Sequence, residues 1–230
     1  MKPIITDLFE QFTTKAIESL GLWAEANQRV LAVMRNRAAD PDFASFAASV
    51  AGTGPLLVMA DVCVELPEAG FRSRLASPAT SDLAVHAFDQ IQVLIDADPV
   101  WVSCIEVATP FLSAHCSVTS IVVTFADGSV FNYRGGFAGP GLRTPATGLW
   151  RVDGPDTSNR WDGNLADRSR TAVPTYQTCI TAMIDAVIAG TAATSQTATL
   201  RSLALLDAAL TSAGSDGITV TVQPTAGMSW

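Results

Sequence analysis

The most constraining feature of the sequence is a run of strand-like alternation in its middle, broken by one tight turn. Val100, Val102, Cys104 and Glu106 alternate with side chains of the opposite face. Two further runs, Val118 to Phe125 and Ser129 to Arg134, flank Ala126-Asp127-Gly128. Asp-Gly between two alternating runs is a strong hairpin signal, and short direct connections join antiparallel strands. The sequence therefore predicts an open, mostly antiparallel sheet.

Other segments add strands to this sheet and helices beside it. Strand-like runs are predicted at Arg29 to Met34, Pro55 to Glu65, Gly148 to Val152, near Arg160-Trp161 and at Ile218 to Val222. Apolar residues at helical spacing predict helices at Asp42 to Val50, Ser81 to Asp96, Tyr176 to Ala189 and about Gln196 to Ser212. The same spacing predicts helix from Asp7 to Asn27, either as one helix or broken near Thr13-Thr14. The predicted class is α+β, with the helices on one face of the sheet.

Composition limits what this fold can do. The 230 residues are 48% hydrophobic and 16% charged, without a linker-like stretch, which favours one domain over residues 1–230. A charged fraction below the roughly 25% of soluble domains indicates a surface partly covered by another subunit. The net charge of −8 argues against nucleic acid or an anionic membrane as partner. The longest apolar run is far short of a membrane span and the N-terminus lacks a signal pattern, so we expect a cytoplasmic protein.

The cysteines carry no metal or disulfide signature. Cys63, Cys104, Cys116 and Cys179 are widely spaced, and no pair of close ligands to a metal accompanies them. We predict free, buried thiols and no metal site.

An acid and an imidazole stand four residues apart where the third predicted helix begins. Asp82 and His86 share one helical face, and Thr80 or Ser81 is a plausible N-cap. Such a pair can be structural, because a carboxylate in a first helical turn interacts favourably with the helix dipole. It can also be catalytic, with His86 as a general base oriented by Asp82.

The order of several segments resembles the Gfo/Idh/MocA oxidoreductases. The resemblance runs through RVLAVMRNR, SDLAVHAFDQIQVLIDADPVWVSC, VTFADGSVFNYRGG, LWRVDG and ATLRSLALLDAALTSAG, and so spans nearly the whole chain. It implies that Asp82 and His86 face a polyol or sugar-like substrate. It also matches Lys2 of Met1-Lys2-Pro3 to the family's third catalytic residue, although Met1 stands where the family has Glu. By the same resemblance Asn36 and Arg37 lie near substrate, and the loop leading to the helix makes Arg72 a candidate contact. A solvated arginine pair, Arg35 with Arg37, is the alternative for that segment.

The chain departs from the family in its cofactor domain. Relatives carry an N-terminal Rossmann domain, and this sequence begins where that domain would end. Gly52-Thr53-Gly54 and Gly139-Pro140-Gly141 each supply only half of the G-x-G-x-x-G fingerprint. We therefore predict no cofactor site in this chain, with NAD or NADP involved only if a Rossmann domain is supplied elsewhere.

Three functions stay open on the sequence. The first is the substrate and catalytic domain of a sugar or cyclitol oxidoreductase. The second is a cofactor-independent lyase, isomerase or cyclase that uses the same acid–base pair. The third is a non-catalytic oligomerisation subunit. In each case the resemblance implies a homo-oligomer through the uncovered sheet face, and a Rossmann-containing relative is a further possible partner.

Overall fold

The computed structural model describes residues 4–7, 14–28, 31–65, 75–109, 116–137, 143–163 and 196–223, with 177, 180–181, 184–185 and 188–189. The elements in chain order are β1 (Ile4–Asp7), α1 (Thr14–Ala26), β2 (Leu31–Met34), α2 (Pro41–Ala48), β3 (Leu57–Val64), a π-helical turn (Ala79–Ala84), α3 (Val85–Leu94), β4 (Pro99–Ala108), β5 (Ser117–Phe125), β6 (Val130–Phe137), β7 (Leu149–Asp153), β8 (Ser158–Trp161), α4 (Gln196–Ala213) and β9 (Val220–Thr221).

Seven strands form one open sheet in the order β8-β7-β3-β6-β5-β4-β9. The predicted hairpin is confirmed: β5 and β6 pair antiparallel around Asp127-Gly128, and Gly128 has a φ of +89°. β3 lies between β6 and β7. It pairs in parallel with β6, where Leu57 is opposite Val130, and antiparallel with β7. The predicted α+β class with a mostly antiparallel sheet is confirmed.

Burial alternates along the strands, as expected for a sheet covered on one face. Val58, Val102, Val123 and Phe131 point inward and are fully buried, and the inner face packs against α3 and α4. The opposite face carries exposed apolar side chains. This arrangement places the helices on one side of the sheet.

The tryptophans divide between core and surface. Trp150 is buried, stacks on Phe131 with ring centroids 5.6 Å apart, and meets Phe43 edge-on at 5.2 Å. Trp161 also packs edge-on against Phe43. Trp101 lies on the outer sheet face and is 47% exposed. Most of these aromatic rings therefore build the core at the β7–β8 end of the sheet.

The prediction of one helix from Asp7 to Asn27 is wrong at its start. Ile4–Asp7 is a strand that pairs in parallel with Leu31–Met34 in a separate two-stranded sheet, and α1 begins at Thr14. Asp7 belongs to this strand because it pairs with Met34 of β2, and residues 8–13 lie outside the described residues. Of the predicted helix at Tyr176 to Ala189 the structure describes only scattered residues, which are helical except for Ala189, which lies in a turn.

The described cysteines are free and buried, as predicted for Cys63, Cys104 and Cys116. Cys179 lies outside the described residues. Within the described part of the chain, none of the helices combines the length and apolar character that crossing a bilayer requires.

Candidate acid–base site

Asp82 and His86 lie at a junction between two helical forms. Asp82 is in the π-helical turn Ala79–Ala84, and His86 is the second residue of α3, which continues from that turn. Asp82 is buried and His86 is half-buried. Single π turns are rare and occur frequently at functional sites. The predicted helix is therefore present, with an irregular first turn beneath the candidate pair.

The helix is not capped as predicted. The Thr80 hydroxyl lies 2.9 Å from the Thr119 hydroxyl, and the Ser81 hydroxyl donates to the Ser77 carbonyl at 2.6 Å. The carboxylate of Glu106, on β4, instead accepts the backbone amides of Ala79 at 3.0 Å and Thr80 at 2.9 Å. A partner far along the chain thus replaces the local cap, because Thr80 and Ser81 already lie inside the helix.

Asn36 and Arg37 directly follow β2. Asn36 is 4% exposed, and its side-chain oxygen accepts the Arg37 amide at 3.0 Å. Arg37 is half-buried. Burial raises the pKa of both Asp89 and Tyr133, and the nearby charge of Arg37 opposes both rises. The structure therefore brings this predicted substrate segment up to the helix that carries His86.

The interpretation of Arg35 as part of a solvated arginine pair is wrong. Arg35 is 7% exposed, and its Nε donates to the Asp89 carboxylate at 3.0 Å. A second Arg35 nitrogen donates to the Asp89 backbone carbonyl. Burial raises the pKa of Asp89, and the Arg35 charge opposes that rise. Asp89 lies three residues after His86, so this pair ties the end of β2 to the helix of the candidate site.

Tyr133 places an unsatisfied hydroxyl in the core. Tyr133 is 2% exposed, and its hydroxyl has no hydrogen-bond partner among the residues that the structure describes. Burial raises the pKa of Tyr133. The ring lies back over Gly135, where an added Cβ would stand 2.1 Å from the Tyr133 oxygen. Gly135 pairs with Thr119, the partner of Thr80, so this hydroxyl lies beneath the π-helical turn.

Two predicted site residues lie outside the described residues, namely Lys2 and Arg72. Three residues that hold the site together were not predicted: Arg35, Asp89 and Glu106. Asp89 is the one acidic residue of α3, and Glu106 occupies an inward position of the β4 alternation. For both residues, the signal in the sequence was a charged side chain at a position that the apolar periodicity predicts to face the core.

The fold is shared with dehydrogenases of the Gfo/Idh/MocA type, and corresponds to their C-terminal domain. GenD2 of gentamicin A biosynthesis, solved in complex with NAD, aligns over 97% of this chain and 72% of its own, at a TM-score of 0.79 and 18% identity.

Two inositol enzymes align similarly. Myo-inositol dehydrogenase of Lactobacillus casei, solved with NAD(H) and myo-inositol, covers 99% of this chain and 72% of its own at a TM-score of 0.74 and 17% identity. Myo-inositol 2-dehydrogenase of Lactobacillus plantarum covers 91% and 70% at a TM-score of 0.72 and 14% identity. Protein-family models and curated protein sequences give no match.

The described residues do not fit a dinucleotide. A dinucleotide site needs a glycine-rich turn between a strand and a helix, so that the backbone can approach the pyrophosphate. The β1–α1–β2 unit has parallel strands around a helix, but its first connection reads LFEQFT and holds no glycine. Among the residues described, no group of three or more His, Cys, Asp or Glu is placed to hold a metal ion.

Proposed function

We propose that this chain is the substrate-binding and acid–base domain of an NAD(P)-dependent oxidoreductase acting on a sugar or cyclitol. The observation that carries the proposal is the Asp82/His86 pair, set at the junction of a π turn and α3 in a fold shared with inositol dehydrogenases. Because the sequence identity to these neighbours is low, they support only the fold. The proposed chemistry therefore depends on the site residues of this chain.

In this proposal His86 accepts the proton of a substrate hydroxyl. A half-buried imidazole can reach both a bound polyol and solvent, and histidine is the side chain that most often serves as a general base. Asp82 orients the ring and favours the imidazolium that forms. Asn36 and Arg37, brought towards α3 by the Arg35–Asp89 pair, offer hydrogen bonds to the other hydroxyls of the substrate.

The nicotinamide cofactor would be held by a separate domain or chain. Lys2 would then act at that boundary, as the resemblance implies, and Lys2→Ala should matter only when the boundary is formed. The residues described here handle the substrate and its proton.

Ligand binding by the purified chain tests the proposal. We expect saturable binding of myo-inositol or a related polyol in saturation-transfer NMR, weakened about tenfold or more by Asn36→Ala or His86→Ala. Asp153→Asn, at a half-buried carboxylate of β7 that pairs with Arg151, is the matched control and should bind like the parent. Absence of binding across a panel of sugars and cyclitols would contradict the proposal.

A cofactor-independent enzyme is the second candidate, favoured by the lack of glycine in the β1–α1–β2 connection. Proton abstraction beside a carbonyl needs only the acid–base pair. The purified chain would then exchange the α-protons of a keto-cyclitol in D2O without NAD(P), and His86→Ala would stop the exchange. Turnover that requires added nicotinamide and a Rossmann-containing relative would favour the first candidate. A chain inert in both assays that assembles with such a relative would favour an oligomerisation subunit.

We also propose a homo-oligomer formed through the outer sheet face. Exposed apolar side chains share that face, with exposures of 41–57%: Leu57, Trp101, Ile105, Val107 and Val122. A groove of about 470 Å³ on the same face is lined by charged residues of β3, β6, β7 and β8, including Asp61, Arg134 and Arg160. Apolar area rimmed by charge is typical of a subunit interface.

Light scattering on the eluting protein tests the oligomer. Val122→Lys should shift the mass towards the monomer, since it places a charge within the apolar face. Leu22→Lys, on the 67% exposed position of α1, is the control and should keep the parent mass. A parent that elutes as a monomer would contradict the proposed interface.

A further inference from the structure

We propose that Glu106 is a positioning residue for the acid–base pair, holding the π-helical turn that carries Asp82; this inference rests on the proposed function. Glu106 is half-buried on the inner face of β4. One carboxylate oxygen accepts the Ala79 amide, and the other accepts the Thr80 amide. The Ser117 hydroxyl donates to the first oxygen at 2.5 Å. Both carboxylate oxygens of Glu106 therefore accept hydrogen bonds from the first residues of this turn.

The turn has no cap of its own. Its N-cap residue is Pro78, which makes no side-chain hydrogen bond to the helix. The first amides of a helix lack intrahelical partners, and the helix dipole places partial positive charge there. A carboxylate at this end satisfies the amides and complements the dipole. Glu106 is therefore the group that joins the first π turn to the sheet.

A second set of contacts joins the same turn to the same face of the sheet. The Thr80 hydroxyl is 2.9 Å from the Thr119 hydroxyl and 3.6 Å from the Cys104 sulfur, and the Cys104 sulfur is 3.3 Å from Thr119. All three side chains are fully buried. Residues 79 and 80 are thus held to β4 and β5 by both backbone and side chain. The turn cannot rotate or relax without breaking buried hydrogen bonds.

The form of the turn sets how Asp82 stands relative to His86. In an α-helix the residue four positions on lies about 40° past a full turn, because each residue advances about 100°. A π turn takes more residues per revolution, so the same spacing ends closer to one full turn. The π form therefore aligns residues 82 and 86 more nearly along the helix axis. Relaxation to a regular α-helix would change the angle between residues 82 and 86 around the helix axis.

Asp40 provides a matched comparison within the chain. Its carboxylate caps α2 by accepting the Asp42 amide at 2.9 Å and the Phe43 amide at 3.4 Å. Asp40 therefore does for α2 what Glu106 does for the π turn, but α2 carries no candidate site residue. Asp40→Asn removes the charge of this capping side chain, as Glu106→Gln does at the π turn. Only loss of the Glu106 cap should disturb His86.

The test uses the two histidines of the chain, whose imidazole C2 protons can be followed by NMR during a pH titration and assigned with His86→Asn. Glu106→Gln should lower the His86 titration midpoint, because Asp82 no longer favours the imidazolium as strongly. Glu106→Asp keeps the charge but shortens the side chain. A lower His86 midpoint in this variant as well will show that the position of the carboxylate matters, and not its charge alone. Asp40→Asn should leave the midpoint within error of the parent.

Polyol binding supplies the second readout. Glu106→Gln and Glu106→Asp should weaken binding of myo-inositol about threefold or more, whereas Asp40→Asn should not. If no polyol binds to the parent, the proposed function fails, and the NMR titration still decides the role of Glu106. A His86 midpoint that moves no further in the Glu106 variants than in Asp40→Asn would overturn the inference.

Discussion

Replacing Arg35 with Met removes the guanidinium that donates to the buried carboxylate of Asp89. Both side chains are almost wholly out of solvent, at 8% and 2% exposure. Breaking a buried ion pair by removing one partner costs about 3–5 kcal/mol, because the remaining charge stays buried without compensation. Against a typical stability of about 5–15 kcal/mol, Arg35→Met should be among the most damaging single substitutions in the chain.

The defect should also depend on pH in a defined direction. Burial already raises the pKa of Asp89, and Arg35 opposes the rise. In Arg35→Met the folded-state pKa of Asp89 then lies further above its unfolded value. A group of this kind contributes its full stability below the unfolded pKa, and the contribution is lost as pH rises through the folded pKa. The loss relative to the parent should be greatest near pH 7 and should shrink as pH falls towards about 4.

Urea unfolding followed by tryptophan fluorescence measures the effect at both ends of this range. Arg134→Met is the matched control, since Arg134 bonds Asp61 with 61% and 39% of the two side chains exposed and should cost less than about 1 kcal/mol. The double variant Arg35→Met/Asp89→Leu should recover most of the loss, because no charge stays buried. A cost for Arg35→Met no greater than for Arg134→Met, or one equal at both pH values, would refute the reasoning.

Three further predictions follow from the core and the helix caps. Gly135→Ala should destabilise the protein by about 1–3 kcal/mol in thermal unfolding, because the new Cβ would stand 2.1 Å from the Tyr133 oxygen. Gly214→Ala is the control and should be nearly neutral, because its Cβ would meet nothing closer than 3.4 Å. Tyr133→Phe should raise stability by about 1 kcal/mol in urea, since it removes a buried hydroxyl without a partner; a loss would show that the hydroxyl is satisfied. Asp40→Ala should lower stability by about 0.5–2 kcal/mol, and no change in the urea midpoint would argue against its role as a cap.

Local patterns predicted most of the elements. The Asp127-Gly128 hairpin follows from its turn residues, and the alternation that begins at Val100 predicts the strand Pro99–Ala108. These features depend on a few neighbouring residues, so a single sequence contains the information. The Asp82/His86 helix was predicted for the same reason, although its π turn was not.

Non-local contacts account for what the sequence did not reveal. The insertion of β3 between β6 and β7 depends on partners far along the chain, as does the pairing of β1 with β2. Glu106 lies 27 residues from the amide of Ala79, and Arg35 lies 54 residues from Asp89. No short-range pattern encodes such partners, which explains why the cap was assigned to Thr80 or Ser81 and Arg35 to solvent.

The central position of β3 also has a consequence for how the chain is made. This strand leaves the ribosome before either of its neighbours. Leu57 therefore stays unpaired until Val130 on one side and Asp153 on the other have been synthesised. Pairings of such long separation close slowly, and at about 5–20 residues per second the wait lasts several seconds. During that interval an eight-residue, mostly apolar strand exposes two unpaired edges. Asp61, the one charged residue in that strand, is then its main protection against pairing with another nascent chain.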